Sequence, residues 1–424
     1  MAEGAERRGA GRRSGVFVAG GGTAGHLVPG IAVAEALASS GVPRDQIHFV
    51  GSARGIDSRM VPAAGFTLTA LPGRGLERRR LSRQNAAAVR QLLVGIWRGI
   101  RLVRAERPAV VLSLGGYAAL PASVGAVLWR VPLVLAEQNA AASAANRLLS
   151  RFARAAAVPV AGTGLRREVV TGNPVRRQVL DAARRRAGAA GSGAAEPGKV
   201  VVVFGGSLGS LRINTAVWDA LALLAARGSP PASAADALAG VAGPLHLHHV
   251  VGERDWEARP EPARHARGSR GTQLTPSLTY RAVAYDDDLP RAMAAADLVV
   301  CRAGGSTVAE LSVLRTPAVL VPLPGAPGDH QTRNAEALAA EADARIVPDA
   351  ELTGERLLAE IATALGEDRA DGNPPPAAGT ASTGTAPTFG SVRAAELVAQ
   401  LVAEHGGVTA DRPAAPARDP RDGP

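Results

Sequence analysis

Residues 19–30, AGGGTAGHLVPG, lie between the apolar run at 16–18 and a helical pattern over 31–40. A buried strand that runs into a glycine-rich turn and then a helix is typical of Rossmann-like folds. Glycine lets such a turn approach a ligand, and the helix N-terminus offers free N–H groups, so the turn is predicted to accept a phosphate or another anion. His26 lies at the mouth of this turn. Its imidazole titrates near neutral pH, which predicts a catalytic role, against the alternative that it only orders the helix start.

Beyond this turn, short apolar runs alternate with helical patterns in two series. The first series comprises residues 16–19, 47–50, 110–114 and 132–137, and the second comprises 199–209, 245–252, 281–285, 297–305 and 318–324. Each series opens with a strand that leads into a glycine-rich turn. The alternation predicts an α/β fold of two Rossmann-like domains, each a doubly wound parallel sheet, that face each other across a cleft.

The two series predict two domains. Residues 15–175 are expected to form the N-terminal domain and residues 176–388 the C-terminal domain, followed by an amphipathic helix over 391–406. Stretches rich in alanine, proline and glycine are expected to be loops or disordered, at 228–240, 259–276 and 366–389. The two ends, 1–14 and 407–424, are also predicted to be disordered.

Composition limits the cellular setting of this 424-residue chain. Cys301 is the only cysteine, so no intrachain disulfide can form. The first 14 residues hold arginines but no apolar signal-peptide core, and no window of about 18 uncharged apolar residues follows. We therefore predict a cytoplasmic protein that is neither secreted nor membrane-spanning.

Positive charge is concentrated in one segment. Residues 74–107 hold ten arginines and two glutamates, a net charge of +8 within a chain of +10. Leucine, isoleucine, valine and tryptophan are interleaved with these arginines. The segment is either a core helix with a solvated charged face or a surface that docks on an anionic membrane. Nucleic acid is not expected as a partner, because only 3% of the residues are aromatic and no stacking platform is visible.

The first turn also satisfies the dinucleotide fingerprint G-x-G-x-x-G through Gly20, Gly22 and Gly25. That fingerprint requires an acidic residue at the end of the next strand to hold the ribose. The chain has valine, glycine and serine at 50–52 instead. Dinucleotide binding is therefore disfavoured, and His26 is a feature that it would not need.

The second series contains two further turns of the same kind. In GGSLGS, residues 205–210, the Ser207 hydroxyl is placed to donate to a phosphate. In CRAGGSTVAEL, residues 301–311, two glycines precede a helix that Ser306 and Thr307 can cap. Glu310 has the spacing of a capping box, but a carboxylate beside a cleft would also suit a ribose diol.

Two polar stretches complete the second series. GDHQTRNA, residues 328–335, is read as a loop after the strand at 318–324, and its side chains suit hydrogen bonds to a sugar. Asp286, Asp287 and Asp288 precede a helix, so we expect capping rather than a metal site there.

Taken in order, these motifs resemble those of the MurG-type glycosyltransferases. The resemblance runs from about residue 16 to 407 and includes GGYAALPA at 115–122, EQNA at 137–140 and GNPVR at 172–176. It implies the GT-B fold, with the C-terminal helix crossing back to the first domain. It also implies transfer of N-acetylglucosamine from UDP-GlcNAc to the 4-hydroxyl of lipid I, giving lipid II, at the inner face of the cell membrane.

The resemblance further implies an inverting, metal-independent reaction without a cofactor. Its partners would be UDP-GlcNAc, lipid I, an anionic membrane surface to which the protein binds peripherally, and other proteins of cell-wall synthesis. Two alternatives share part of the pattern. A UDP-sugar epimerase has the same fold but no need of the basic apolar segment, and a dinucleotide-dependent oxidoreductase would leave Ser207, Glu310 and Gln331 without a role.

Roles are carried over residue by residue. His26 is implied as the general base for the acceptor hydroxyl. Glu310 would hold the ribose and Gln331 the sugar. The remaining implied substrate contacts are Thr23, Ala24, Gly25, Asn139, Arg176, Ser207, Gly305, Ser306, Thr307, Val308 and Ala309.

Overall fold

The structure is a computed structural model. It describes residues 15–53, 56–72, 83–189, 198–206, 209–225, 238, 241, 243–260, 271–275, 277–366 and 388–408, without the side chains of 83–87 and 189. Ser207 and the arginine-rich stretch at 73–82 lie outside the described residues, as do residues 1–14 and 409–424.

The first half of the chain builds a seven-stranded parallel sheet. Its strands are β1 (Val16–Ala19), β2 (Ile47–Ser52), β3 (Thr67–Leu71), β4 (Val110–Ser113), β5 (Leu133–Ala136), β6 (Ala155–Val158) and β7 (Glu168–Val170). They lie in the order β3-β2-β1-β4-β5-β6-β7. The central strands are buried on both faces, which explains why they are apolar without alternation.

The second half builds a sheet of the same size. Its strands are β8 (Lys199–Phe204), β9 (Leu245–Val250), β10 (Thr272–Thr275), β11 (Leu278–Val283), β12 (Leu298–Cys301), β13 (Ala318–Leu320) and β14 (Ala344–Ile346). They lie in the order β10-β11-β9-β8-β12-β13-β14, and all described pairs are parallel except β10 with β11. The predicted α/β class with two doubly wound sheets is confirmed.

Helices cover both faces of each sheet. In the first half they are α1 (Ala24–Ser39), α2 (Asp57–Ala63), α3 (Arg83–Glu106), α4 (Gly116–Leu128) and α5 (Ala144–Leu149). The following helices are α6 (Arg177–Ala189), α7 (Leu211–Ala225), α8 (Leu289–Ala295), α9 (Gly305–Leu314), α10 (His330–Ala339), α11 (Gly354–Gly366) and α12 (Ala394–Gly406). Short 3₁₀ helices occur at Arg44–Gln46, Glu253–Ala258, Pro327–Asp329 and Asp349–Glu351.

The C-terminal helix returns to the first half of the molecule. Val398 and Val402 of α12 are buried in the same core cluster as β1 and α1. The chain reaches that position past Phe389, which is buried in the core of the second half and whose carbonyl accepts a hydrogen bond from the Asn173 N–H at 2.7 Å. The described backbone thus crosses between the two halves at residues 173 and 389.

Several elements differ from the sequence-based prediction. Helix α1 begins at Ala24, seven residues before the predicted start, and contains His26 and Pro29. Residues 330–335, predicted as part of a loop, form the first turns of α10. Strands β3, β6, β7, β10 and β14 were not predicted, because they are short, lie toward the sheet edges or carry alanine and polar residues.

None of the helices within the described ranges is both long and apolar enough to cross a bilayer. The predicted boundaries at 175/176 and 388 remain predictions.

Candidate active site

A cavity of about 460 Å³ lies where the two sheets turn the carboxyl ends of their strands toward each other. In open α/β sheets this is the edge where ligands bind. The first half contributes Thr23, Gly25, His26, Gly116, Gln138, Asn139, Ala141, Ala142, Ser143, Ala144 and Arg147 to its wall. The second half contributes Gly304, Gly305, Ser306, Pro327, Gly328 and His330.

The first glycine turn is held by a buried carboxylate from α2. Asp57 accepts hydrogen bonds from the Gly22 N–H at 2.7 Å and from the Ser52 N–H at 2.8 Å. Its carboxylate occupies the space that a Cβ on Gly21 would need, which is a steric reason for glycine at that position. An acid therefore does follow β2, but it binds the backbone of the turn instead of a nucleotide ribose.

His26 lies in the first turn of α1, one residue after Gly25. Its Nδ1 is 3.0 Å from the Thr23 hydroxyl. If Nδ1–H donates to Thr23, the other ring nitrogen, Nε2, is left with a lone pair that can accept a proton. Gly116 packs beside the Cε1–Nε2 edge of this ring and lines the same cavity.

The electrostatic surroundings keep this imidazole neutral. Burial lowers the pKa of His26 below its ordinary value of 6.5 and a charge on His330 lowers it further, whereas the carboxylates of Glu137 and Asp57 oppose the shift. Since the lowering prevails, His26 is unprotonated at neutral pH. That is the state that a general base requires.

A second buried carboxylate, Glu137, orders the loop after β5. Its Oε1 accepts from the N–H groups of Gln138 and Asn139, each at 3.1 Å, and from the Asn139 side-chain amide at 3.0 Å. Its Oε2 accepts from the Ser143 N–H at 3.0 Å and the Asn146 amide at 2.9 Å. These five bonds fix Asn139 in the wall of the cavity.

Amide side chains connect the two halves across the cleft. Asn334 of α10 accepts a hydrogen bond from the Ala140 N–H at 2.8 Å and donates to the Asn139 side chain at 3.1 Å. Asn173 donates to the carbonyls of Gln138 and Gly305, at 3.1 and 3.2 Å. These bonds set the separation between the loop after β5 and the start of α9.

Helix α9 points its N-terminus at the cavity. Gly304 is its N-cap residue, and no side chain caps the helix. The predicted cap by Ser306 or Thr307 is therefore wrong, because the Ser306 hydroxyl instead donates to the Gly25 carbonyl of the first half at 3.3 Å. The free N–H groups of this helix start favour an anion in the cavity.

Glu310 and Arg176 form a bidentate ion pair. The guanidinium Nε and Nη2 donate to the two carboxylate oxygens at 2.7 and 2.8 Å. Glu310 is only 4% exposed. Burial alone would lower the pKa of Arg176, but the Glu310 carboxylate outweighs it and raises that pKa. The capping box suggested by the spacing is not formed.

The structure brings some of the predicted site residues together and separates others. Thr23, Gly25, His26, Asn139, Gly305 and Ser306 all line the cavity. Val308 and Ala309 are buried in the core of the second half, so their side chains do not face the cleft. The Gln331 side chain accepts a hydrogen bond from the Leu323 N–H at 2.9 Å. Gln331 is not among the residues that line the cavity, and neither are Ala24, Thr307, Arg176 and Glu310.

Sequence reasoning did not predict the structural role of the residues that hold these groups in place, although Asn334 lies in the stretch that was read as sugar-binding. Asp57, Asn173 and Asn334 bind backbone atoms 31 or more positions away in the sequence, whereas Glu137 binds N–H and amide groups of its own loop. A buried polar residue beside a glycine turn was the available signal. The aspartates at 286–288 do not cap α8 as predicted, because no side chain caps that helix. The Asp286 carboxylate instead accepts a hydrogen bond from the Asp288 N–H at 2.9 Å and lies 2.8 Å from Nε2 of His248.

Among the described side chains, no cluster of three or more His, Cys, Asp or Glu residues is placed to hold a metal ion.

Two family models match the chain. The glycosyltransferase family 28 N-terminal domain matches residues 16–158, and the glycosyltransferase family 28 C-terminal domain matches residues 200–382. The first match spans β1 to β6 of the first sheet, and the second begins within β8 and spans the rest of the second sheet.

Similar proteins include UDP-N-acetylglucosamine–N-acetylmuramyl-(pentapeptide) pyrophosphoryl-undecaprenol N-acetylglucosamine transferases. The one from Alkalilimnicola ehrlichii is 41% identical over 83% of this chain and 90% of its own length. That from Pelobacter propionicus is 37% identical over 84% and 92%.

The fold is similar to that of MurG from Acinetobacter baumannii, with a TM-score of 0.62 and 25% identity over 92% of this chain and 99% of that one. A putative UDP-N-acetylglucosamine 2-epimerase from Listeria monocytogenes has a TM-score of 0.57 at 13% identity, covering 94% of this chain and 98% of that one. The second likeness shows the fold alone.

We expect the His26 imidazole to titrate below pH 6.5 in NMR spectra of ¹⁵N-histidine-labelled protein. His330→Gln should raise the pKa of His26, because it removes a positive charge that disfavours protonation of the neighbouring ring. His405→Gln, on α12, is the matched control and should leave the His26 titration unchanged. A midpoint above 6.5, or the same midpoint in both variants, would contradict this account.

Proposed function

This chain belongs to the MurG-type glycosyltransferases of family 28, and from that premise we propose how its cleft carries out the transfer. The enzyme moves N-acetylglucosamine from UDP-N-acetylglucosamine to lipid I, the undecaprenyl-diphosphate-linked N-acetylmuramyl peptide, and so makes lipid II for peptidoglycan. The observation that carries the assignment to this cleft is a neutral histidine that faces the N-terminus of α9 across a cavity lined by both halves.

His26 acts as the general base. Its Nε2 takes the proton from the acceptor 4-hydroxyl while that oxygen attacks the anomeric carbon of the donor sugar. The bond from the anomeric carbon to the diphosphate breaks, and UDP leaves with the electron pair. Attack opposite the leaving group inverts the anomeric configuration.

The leaving diphosphate acquires negative charge as the bond breaks. The free N–H groups at the start of α9 are oriented before the reaction and can stabilise that charge. This support comes from backbone dipoles, so the proposed reaction requires no metal ion or cofactor.

Arg176 and Glu310 form the proposed nucleotide contact. Before UDP binds, each satisfies the other through two charge-assisted hydrogen bonds. When UDP binds, Glu310 accepts from the ribose hydroxyls and Arg176 turns toward the diphosphate. We further propose that Asn139, Thr23 and Gln331 contact the donor sugar, with Ser207 near the phosphates.

The structure of the first turn argues against a dinucleotide-dependent oxidoreductase. Asp57 is directed at backbone N–H groups and is fully buried, so it does not offer a ribose contact. An epimerase of this fold would not need an exposed apolar surface beside its arginines, which this chain has.

Such a surface lies on α3 and the end of α4. Leu93 and Trp97 are 61% and 55% exposed, and Trp129 is 40% exposed. The Arg101 guanidinium stacks on Trp97 at 4.7 Å, and that of Arg104 stacks on Trp129 at 4.8 Å. We call these five residues the basic-aromatic surface.

A groove of about 340 Å³ lies at the end of α4, where Arg130 in its wall directly follows Trp129. The exposed ring of Phe152 is part of its wall. Four further lining residues are arginines, namely Arg130, Arg151, Arg154 and Arg167. Positive charge beside exposed aromatic rings fits a surface of anionic lipid. We propose that the protein binds the cytoplasmic face of the cell membrane peripherally through this side of its first half.

The function is tested by transfer of labelled N-acetylglucosamine to a short-chain lipid I analogue in solution. His26→Ala should lower turnover by roughly 10²- to 10⁴-fold, the usual contribution of general-base catalysis, with UDP affinity unchanged in calorimetry. His405→Ala serves as the control. Near-normal turnover of His26→Ala would contradict the base assignment, and no transfer by the unmodified enzyme would contradict the function.

The nucleotide contact is tested by Glu310→Gln. Loss of a charged acceptor should weaken UDP binding by about 1.5 to 3 kcal/mol, measured by calorimetry. Glu396→Gln, an exposed change on α12, should leave UDP affinity unchanged. A lower melting temperature with unchanged UDP affinity would reduce the Arg176–Glu310 pair to a structural role.

Membrane binding is tested with vesicles. Changing Arg98, Arg101 and Arg104 to glutamine should reduce binding to phosphatidylglycerol vesicles on the order of 100-fold at low salt, since each basic residue contributes about 1 kcal/mol. The matched control changes Arg177, Arg184 and Arg185, which are exposed on α6 of the second half. Equal loss in both triple variants would point to total charge, and no loss in the first would exclude this surface.

A further inference from the structure

The wall of the active-site cavity carries positive charge without a matching carboxylate. Among the described residues that line it, His26, Arg147 and His330 can be cationic, and none is Asp or Glu. The buried acids nearby, Asp57 and Glu137, are occupied by backbone and amide donors. The cavity is thus suited to an anionic ligand.

Among the described residues that line the cavity, Arg147 is the arginine, and its guanidinium is permanently charged. It lies on α5 and is exposed to the cavity. Its Nη2 atom is 3.7 Å from the position that a Cβ on Gly328 would take, so the guanidinium reaches the loop of the opposite half. Within the described part of the chain, no carboxylate forms an ion pair with it.

Two other candidate cations, Arg176 and His26, are already neutralised or uncharged. Arg176 is held by both oxygens of Glu310 and lies outside the cavity wall. The lowered pKa of His26 leaves that ring neutral at pH 7. A diphosphate that enters this cavity can therefore bind the guanidinium of Arg147, which no carboxylate of the described residues neutralises.

We propose that Arg147 binds the diphosphate of the lipid-linked acceptor. This inference rests on the proposed function, because it takes His26 as the base for the acceptor hydroxyl. The acceptor carries that hydroxyl and its diphosphate at opposite ends of one sugar ring. Arg147 and His26 line the same wall from the first half, whereas the donor diphosphate is expected at α9 of the second half.

The planar guanidinium matches this role. It can donate two parallel hydrogen bonds to a phosphate, which fixes the orientation of the group as well as its position. Binding the diphosphate in this way would hold the acceptor sugar with its hydroxyl toward Nε2 of His26. Arg147 is thus a binding residue through which the enzyme recognises the diphosphate of the acceptor.

The test compares two soluble acceptors at constant UDP-N-acetylglucosamine. One is a short-chain lipid I analogue with its diphosphate, and the other has a neutral linker in place of the diphosphate. Arg147→Gln should lower kcat/KM for the diphosphate acceptor roughly 10- to 100-fold, mainly through KM, and for the neutral acceptor by less than about threefold. Arg147→Lys should recover part of the loss, since it keeps the charge but not the paired donors.

Arg166→Gln is the matched control, an exposed arginine of the first half that lines neither cavity, and should behave as the unmodified enzyme. UDP affinity of Arg147→Gln, measured by calorimetry, should be unchanged. An equal loss with both acceptors would overturn the proposal in favour of a structural role, and a loss of UDP affinity would assign Arg147 to the donor. No transfer by the unmodified enzyme to the diphosphate acceptor would instead overturn the proposed function itself.

Discussion

The cleft depends on buried carboxylates that bind backbone N–H groups. Asp57 holds the first glycine turn, and Glu137 holds the loop after β5. A sharp turn leaves N–H groups without secondary-structure partners, and each such group costs about 1 to 3 kcal/mol if it is buried unsatisfied. A carboxylate with several lone pairs satisfies two or more of these donors at once and fixes one conformation of the loop. Thr23, His26 and Asn139 are therefore in position before substrate arrives.

Contacts between the halves follow the same logic with neutral groups. Asn334 uses its oxygen for Ala140 and its amide hydrogens for Asn139 and Ala303, so it serves both sides of the cleft at once. An amide is suited to this place because it both donates and accepts, and it carries no charge that would have to be desolvated. The distance between the loop after β5 and the start of α9 is thereby set without opposing the charge of the substrates.

The fold could be predicted from the sequence because it is encoded locally. Runs such as those of β1 and β8 are apolar, short and followed by glycine, and parallel strands with these features have few alternatives. Edge strands such as β7 and β14 were missed because their pairing partners, not their own sequences, make them strands. The start of α1 was misplaced because glycine and proline within it argue against a helix, yet the packing of Leu27 and Val28 in the core outweighs that preference.

The candidate site was predictable to the extent that its groups lie in recognisable turns. His26 follows from the glycine turn, and Glu310 was identified as a carboxylate beside the cleft. Its pairing with Arg176 could not be predicted, because the two residues are 134 positions apart. Asp57 was overlooked for a related reason: an acid five residues after β2 is unremarkable until the fold places it under Gly21 and Gly22.

The Arg176–Glu310 pair also limits what UDP binding can cost. A buried ion pair contributes little net stability, but removing one partner leaves an uncompensated charge that costs several kcal/mol. If Glu310 exchanges Arg176 for ribose hydroxyls while Arg176 exchanges Glu310 for phosphate oxygens, both keep charge-assisted hydrogen bonds throughout. The net change is then small, and the binding energy of the nucleotide is not consumed in breaking the pair. The same argument explains why the diphosphate of the acceptor needs a different cation. In the proposed complex Arg176 binds the donor, so Arg147 of the cavity wall is the arginine that can bind the acceptor.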